Sequence, residues 1–306
     1  MPSPIPTEHF FIQGPDGPLA VQRWGARGRP VVVLLHGYPD NRHKWDAVAL
    51  RLSRLYQVVA YDVRGAGASF KPARQADYQL TRLLADFQAV IDAVSPAQPV
   101  HLVAHDWGSV QGWEFATEPA LQHRIATFTS CSGPCLDHMG HWMRARLRRP
   151  TPRHLWQLTA QLFKSWYVYF FHLPAVPEWL WRHGMGSQWP RLMQRMEGVR
   201  IQPRPTQAED GAHGVNLYRA NVLPRLMRPR ERTARMPVQV LVPQRDRFVS
   251  PALSDDLRQW APVLTRERLD AGHWVTVQQP EVFAQAVMAF LAQHPIRDAH
   301  SASRRA

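Results

Sequence analysis

The five residues Ala104-His105-Asp106-Trp107-Gly108 carry the clearest chemical signal in the chain. They end a run with the character of a buried strand and open a helical pattern over Ser109 to Thr117. A small residue two places either side of a nucleophile lets a sharp, strained turn pack while the central side chain is pushed into a cleft. The central residue here is an aspartate. Asp is also a good helix N-cap, so the position alone reads equally well as a helix start. A carboxylate is anionic at neutral pH and can displace a leaving group at saturated carbon without a base to activate it. The product would be an ester whose carbonyl belongs to the protein.

Hydrolysis of such an ester needs an activated water. Gln244-Arg245-Asp246 follows the apolar run Val238 to Val242, and Gly272-His273-Trp274 follows a second run around Leu264 to Asp270. A histidine oriented by an acid can take a proton from water. Singly, Asp246 reads as a surface acid and His273 as one of 15 histidines. Jointly, nucleophile, acid and histidine stand in that order, each just past a strand end, where open α/β sheets place their sites.

The elements that must position them follow a regular pattern. His9 to Gln13 and Leu19 to Trp24 read as strands around the turn Gly14-Pro15-Asp16-Gly17-Pro18. Pro30 to Leu35, Gln57 to Tyr61, Pro99 to Ala104 and Ile125 to Ser130 are strand-like runs, mostly continuous and apolar. Such runs belong to strands buried on both faces, as in parallel sheets. A helical pattern over Thr81 to Val94 alternates with them, which predicts an α/β sheet with right-handed crossovers. From Leu136 to Met227 no strand-like run occurs, and half of the 12 tryptophans fall there. A structureless loop of that length is improbable, so a folded helical insertion is expected. The division is 1–135 and 229–296 for the core and 136–228 for the insertion. A helix over Pro280 to Gln293 closes the core, and 297–306 reads as a disordered tail.

Two loops complete the candidate site. In such sheets the loop holding His36-Gly37-Tyr38-Pro39 and the residue after the nucleophile supply backbone N–H groups to an oxyanion, here those of Tyr38 and Trp107. Asp62-Val-Arg-Gly65-Ala-Gly67-Ala-Ser69 lacks the continuation of a dinucleotide loop and reads as a tight turn. The side chains of Tyr38, Pro39, Trp107 and Trp274 are candidates for substrate binding.

Together these motifs resemble the epoxide hydrolases of the α/β-hydrolase fold, over about Phe10 to Leu291. The sequence is also similar to the hydrolase domain of epoxide hydrolase/short-chain dehydrogenase fusions. The resemblance implies an α/β-hydrolase fold with a mostly parallel sheet flanked by helices and an all-helical cap inserted after the sixth strand. It also implies two cap tyrosines that bind the epoxide oxygen. Ser165-Trp166-Tyr167 selects Tyr167, with Tyr169 as the register alternative, and Asn216-Leu217-Tyr218-Arg219 selects Tyr218. The implied reaction converts a hydrophobic epoxide and water to a vicinal diol, with Asp106, Asp246, His273, Tyr167 and Tyr218 catalytic, no cofactor and no metal. A haloalkane or haloacid dehalogenase would use the same Asp106, but neither accounts for both tyrosines. A non-catalytic binding protein on this fold would be expected to have lost a catalytic position, and none is lost.

Composition bounds the rest. The chain has 306 residues and a formal charge of +13, almost all of it arginine: the only lysines are Lys44, Lys71 and Lys164. Nucleic-acid binding would need an aromatic-basic module, and none is present. Cys131 and Cys135 read as two reduced thiols. The N-terminus lacks a basic segment followed by an apolar run, no stretch reads as a membrane span, and a cytoplasmic location is expected. A monomer or a homodimer is expected. Arg144, Arg146, Arg148, Arg149 and Arg153 stand near the start of the insertion, and Arg225, Arg228, Arg230, Arg232 and Arg235 at its end. With the tryptophans they suggest contact with an anionic membrane surface; a solvated arginine face is the plainer reading.

Overall fold

Runs of Val, Ile, Leu and Ala too apolar to show a face to water form the centre of an eight-stranded sheet. A computed structural model describes residues 6–296, so the tail 297–306 lies outside the described residues. The strands are β1 (Thr7–Gln13), β2 (Pro18–Trp24), β3 (Val31–Leu35), β4 (Gln57–Tyr61), β5 (Val100–His105), β6 (Ile125–Cys131), β7 (Val238–Pro243) and β8 (Leu264–Leu269). Their spatial order is β1-β2-β4-β3-β5-β6-β7-β8. β1, β2 and β4 pair antiparallel, and every pairing from β4 through β8 is parallel. All residues of β3, β4, β5 and β7 are buried. β8 closes the edge with Arg266, Glu267 and Arg268, which suits a strand with one side unpaired.

The helices are α1 (Asp46–Leu52), α2 (Leu80–Val94), α3 (Trp107–Ala116), α4 (Leu136–Arg148), α5 (Pro152–Lys164), α6 (Trp166–Phe171), α7 (Val176–Leu180), α8 (Gly186–Glu197), α9 (Gln207–Met227), α10 (Val275–Gln278) and α11 (Pro280–Gln293). A π turn over Trp181–Met185 joins α7 to α8. Successive side chains of a strand point to opposite faces. Val33 and Leu35 accordingly fall in one packed cluster with Leu83, Phe87 and Ile91 of α2 and Phe115 of α3. Val32 and Leu34 fall in a second with Trp45, Leu52 of α1 and Phe283, Val287 and Phe290 of α11. Among the described residues no helix is long and apolar enough to cross a membrane.

Helices α4 to α9 all fall between β6 and β7. The longest, α9, is tied to the sheet by polar contacts. Asp210 accepts from the Gly67 amide at 2.8 Å and from Asn41 at 3.1 Å. Asn221 accepts from the Leu80 amide at 2.9 Å and donates to the Tyr78 carbonyl at 2.9 Å.

The structure corrects the reading of the flanking arginines as one solvated face. Glu114 of α3 is buried and is met by Arg225, Arg230 and Arg232 at 2.9–3.1 Å. Asp137 of α4 is also buried and is met by Arg225 and Arg230. Arg146 is buried and pairs with Asp256. Carboxylates carried under the helical block need cations, and these arginines supply them.

Phe283 is fully buried, 5.7 Å from the Trp45 ring. Phe283→Ala should lower stability by about 3–5 kcal/mol in urea unfolding, through lost transfer energy and the cavity left behind. A loss under about 1 kcal/mol would mean that α11 repacks.

Candidate active site

Asp106 sits between the end of β5 and the start of α3 with φ 56° and ψ −126°, a backbone that L-residues with a Cβ rarely adopt. Its amide donates to Cys131 O at 2.9 Å, and its carbonyl accepts the Val110 amide at 3.0 Å. Gly108 makes the turn possible, since a Cβ there would stand 2.1 Å from Leu35 O. The helix starts at Trp107, two residues before the sequence pattern suggests, because the turn is confined to Asp106. The carboxylate makes no capping hydrogen bond to α3. It turns instead toward the end of the sheet.

There Asp106 Oδ1 accepts the Tyr38 amide at 2.6 Å. The Trp107 amide lies close by: a Cβ on Gly37 would fall 2.2 Å from Asp106 Oδ1 and 2.6 Å from Trp107 N. Asp106 Oδ2 is 3.4 Å from His273 Nε2. The other ring nitrogen, Nδ1, is 3.1 and 3.0 Å from the two oxygens of Asp246. Asp246 Oδ1 also accepts the amides of Phe248 and Val249 at 2.8 and 2.9 Å. The chain order Asp106, Asp246, His273 has thus become one line of hydrogen-bonding groups.

Burial alone would make His273 a weaker base and Asp246 a weaker acid. Their mutual attraction outweighs it. The charge of Asp246 and the bonds to Asp106 and Asp246 lift His273 to about 10, so the ring is cationic at neutral pH. Burial likewise opposes ionisation of Asp246, but the His273 cation and the two amides hold its carboxyl below the usual range.

Asp106 opens onto a cavity of about 530 Å³, within the size range of small-molecule sites. Leu136, Met139, Trp142, Leu158, Val222 and Leu226 give it apolar walls. Tyr167 and Tyr218 line it with Asp106, their ring centroids 5.8 Å apart. Burial, then the negative charges of Asp106 and Asp246, raise the Tyr167 phenol. Burial, then Tyr167 and Asp106, raise Tyr218 well above its ordinary value. Both are protonated donors at neutral pH. Tyr169 also touches the cavity but is exposed at its outer part.

Three of the side chains expected to bind substrate lie off this cavity. The ring of Tyr38 does not line this cavity; it is packed among Phe171, Trp181 and Tyr218. Pro39 lies off it too, its carbonyl taken by Gln207 at 2.8 Å. Trp274 backs His273, ring centroids 4.7 Å apart, and donates its indole N–H to Asp40 at 3.1 Å. Trp107 does line the cavity. Phe248, which the sequence reading missed, also lines it and packs 4.9 Å from His273 and 5.4 Å from Tyr167. Its place two residues after the acid is the only signal that marks it.

A second omission is Lys44, a buried lysine next to the strand end that leads into Asp106. Its ammonium donates to Asp40 at 2.6 Å and to His105 Nδ1 at 2.8 Å. His105 Nε2 meets the carbonyl of His273 at 2.7 Å. A carbonyl only accepts and an ammonium only donates, so His105 is the neutral Nε2–H tautomer. Burial first, then the Lys44 charge, hold its pKa well below the ordinary value. Cys131 and Cys135 are free, buried thiols, both pushed up to about 12 by burial. Among the described residues no three His, Cys, Asp or Glu side chains are grouped as a metal site requires.

The sheet order, the strained aspartate and the histidine–aspartate pair define an α/β hydrolase. The alpha/beta hydrolase fold family matches residues 30–280, and the chain belongs to it. It is 37% identical over 288 residues to the probable oxidoreductase EphD of Mycobacterium tuberculosis, a match covering 92% of this chain and 49% of that one. The chain therefore spans about half the length of that relative. It is 27% identical to epoxide hydrolase 4 of Mus musculus, over 90% of this chain and 76% of that protein. A crystal structure of an epoxide hydrolase from Bacillus megaterium superposes with a TM-score of 0.77 at 22% identity, covering 92% of this chain and all of that one. The resemblance read from the motifs is thus to proteins the chain is measurably similar to.

Lys44→Met should strand Asp40 as a buried, half-paired charge and cost about 3 kcal/mol in chemical unfolding. Adding Asp40→Asn should recover much of that loss. A double variant no more stable than the single would show that the charge pair is not the cause.

Proposed function

We propose that the protein is an epoxide hydrolase acting on a hydrophobic epoxide through a covalent ester on Asp106. One observation carries the reading: a carboxylate already paired with a histidine–aspartate couple shares an apolar cavity with two protonated phenols, Tyr218 buried and Tyr167 partly buried. Relatives named as epoxide hydrolases support it. The helical block 136–228 acts as the cap that carries both phenols.

Oδ1 of Asp106 is held by the Tyr38 amide, which leaves Oδ2 as the attacking oxygen. It forms a bond to an epoxide carbon while that carbon's bond to the ring oxygen breaks. The developing alkoxide is received by the O–H groups of Tyr167 and Tyr218, and one of them protonates it. The carboxylate charge has now become an ester. His273 loses the partner that helped hold its pKa near 10 and can release its proton, which restores the phenol. The proton count closes within the site.

Neutral His273, still oriented by Asp246, then takes a proton from water as that water attacks Cγ of Asp106. The oxyanion forms on Oδ1, facing the amides of Tyr38 and Trp107. Collapse breaks the ester C–O bond and the diol oxygen takes the proton from His273; the carboxylic acid left on Asp106 then passes the water's second proton to His273, which restores the carboxylate and the cationic ring. Lysine and arginine take no part.

His273→Gln, treated with styrene oxide, should accumulate protein heavier by one epoxide on Asp106, with turnover down about a thousandfold. Absence of that adduct, or halide release from a haloalkane with no diol from the epoxide, would overturn the reading. Tyr167→Phe and Tyr218→Phe should each slow ring opening about a hundredfold in single-turnover kinetics. Unchanged rates in both would make them packing residues. In the wild type, hydrolysis of the ester should accelerate as pH rises through an apparent pKa below about 10, since the base is neutral His273. A rate that falls over that range would exclude His273 as the base.

A further inference from the structure

The mouth of the cavity is rimmed by side chains that both line it and face outward: Leu147, Leu162, Tyr169, Leu223 and Met227. Beside this rim the outer face of α5 and α6 is apolar. Trp156 is 70% exposed, Phe163 76% and Trp166 64%, and none of them lines the cavity. Trp156 and Phe163 are seven residues apart on α5, two helical turns along one face, and Trp166 follows at the helix junction. The inward face of α5 is Gln157, Leu158 and Gln161, so the helix is amphipathic with an unusual outer side. Isolated exposed apolar residues need no account, but a contiguous group of large ones at a cavity mouth does.

Charge identifies what covers it. From residue 138 to residue 177 the sequence contains no Asp or Glu. Of the arginines in that stretch, Arg146 is paired with Asp256. Arg148, Arg149 and Arg153 are exposed and have no carboxylate partner among the described residues. They lead directly into α5. A two-fold contact with a second copy would set these arginines against each other. A surface that is both oily and anionic satisfies both properties at once. Tryptophan is at home where an apolar layer meets polar headgroups, and arginine can lay its stem on the apolar side while its head reaches the phosphates.

We propose that α5, α6 and the arginines before them dock on an anionic lipid bilayer, holding the cavity mouth against it. The docking stands independently of the reaction. Its consequence, that an epoxide dissolved in the bilayer enters without crossing water, rests on the proposed epoxide hydrolysis.

The test is co-sedimentation of the full chain with phosphatidylcholine vesicles, with and without phosphatidylglycerol. The wild type should pellet with the anionic vesicles, much less with the neutral ones, and less as salt is raised. The variants W156S/F163S/W166S and R148Q/R149Q/R153Q should each weaken binding at least about tenfold. All six side chains lie off the cavity, so both variants should retain wild-type circular dichroism and turnover of a water-soluble epoxide. The second variant keeps the test open if the first folds poorly. Failure of the wild type to pellet, equal pelleting of both folded variants, or a dimer lost in the aromatic variant would overturn the proposal. Pelleting needs no turnover, so an inactive protein that binds vesicles would refute the reaction and leave the docking intact.

Discussion

The site depends on one constraint, which is that a carboxylate must be held in a backbone conformation it would not choose. A residue with φ near +56° costs of order 1–3 kcal/mol and persists only where its surroundings leave it no alternative. Here β6 fixes the Asp106 amide, α3 fixes its carbonyl, and the backbone of β3 presses on Gly108. All three depend on parallel strands buried on both faces. The strain has a chemical return. The carboxylate is aimed at the sheet's end, with one oxygen held by an amide and the other facing His273.

Charge is balanced locally around that carboxylate. His273 is cationic because two carboxylates face it, and covalent use of one of them removes part of the reason. In the proposed reaction the base is thereby created by the step that needs it next. Lys44 does not add to this charge as a third partner. It is committed to Asp40 and His105, and through His105 it reaches only the backbone of His273. Buried cations are thus used to hold parts in place, while the groups of the proposed reaction are an acid, an imidazole and phenols.

How far the sequence shows this depends on how local each cause is. Strands buried on both faces are legible because their composition alone excludes a solvated face. Asp106, Asp246 and His273 are legible because each follows such a strand. The choice between Tyr167 and Tyr169 could come only from resemblance, since α6 is six residues long and too short to show a periodic face. The structure sets Tyr167 inward, against Tyr218 and Phe248, and leaves Tyr169 exposed at the cavity rim. Lys44 and Phe248 were illegible, because their partners lie elsewhere in the chain and nothing in their own neighbourhood announces burial. Trp274 and Pro39 are the converse case: they are neighbours of site residues in sequence, but the fold places them off the cavity, on Asp40 and Gln207.

The arginine excess divides along the same line. Arg225, Arg230 and Arg232 gather on Glu114 of the helix that begins at the nucleophile, and Arg225 and Arg230 also reach Asp137 at the start of α4. The pairs Arg225–Glu114 and Arg230–Asp137, with Asp210 and Asn221, are polar ties between the helical block and the core. Hydrophobic burial is non-directional and would tolerate a sliding cap. Hydrogen bonds and ion pairs have short, directional optima and would not. The position of the phenol carried on α9 relative to the carboxylate at the end of β5 is therefore held by these polar contacts, and the apolar cavity between them is free to be shaped for its ligand.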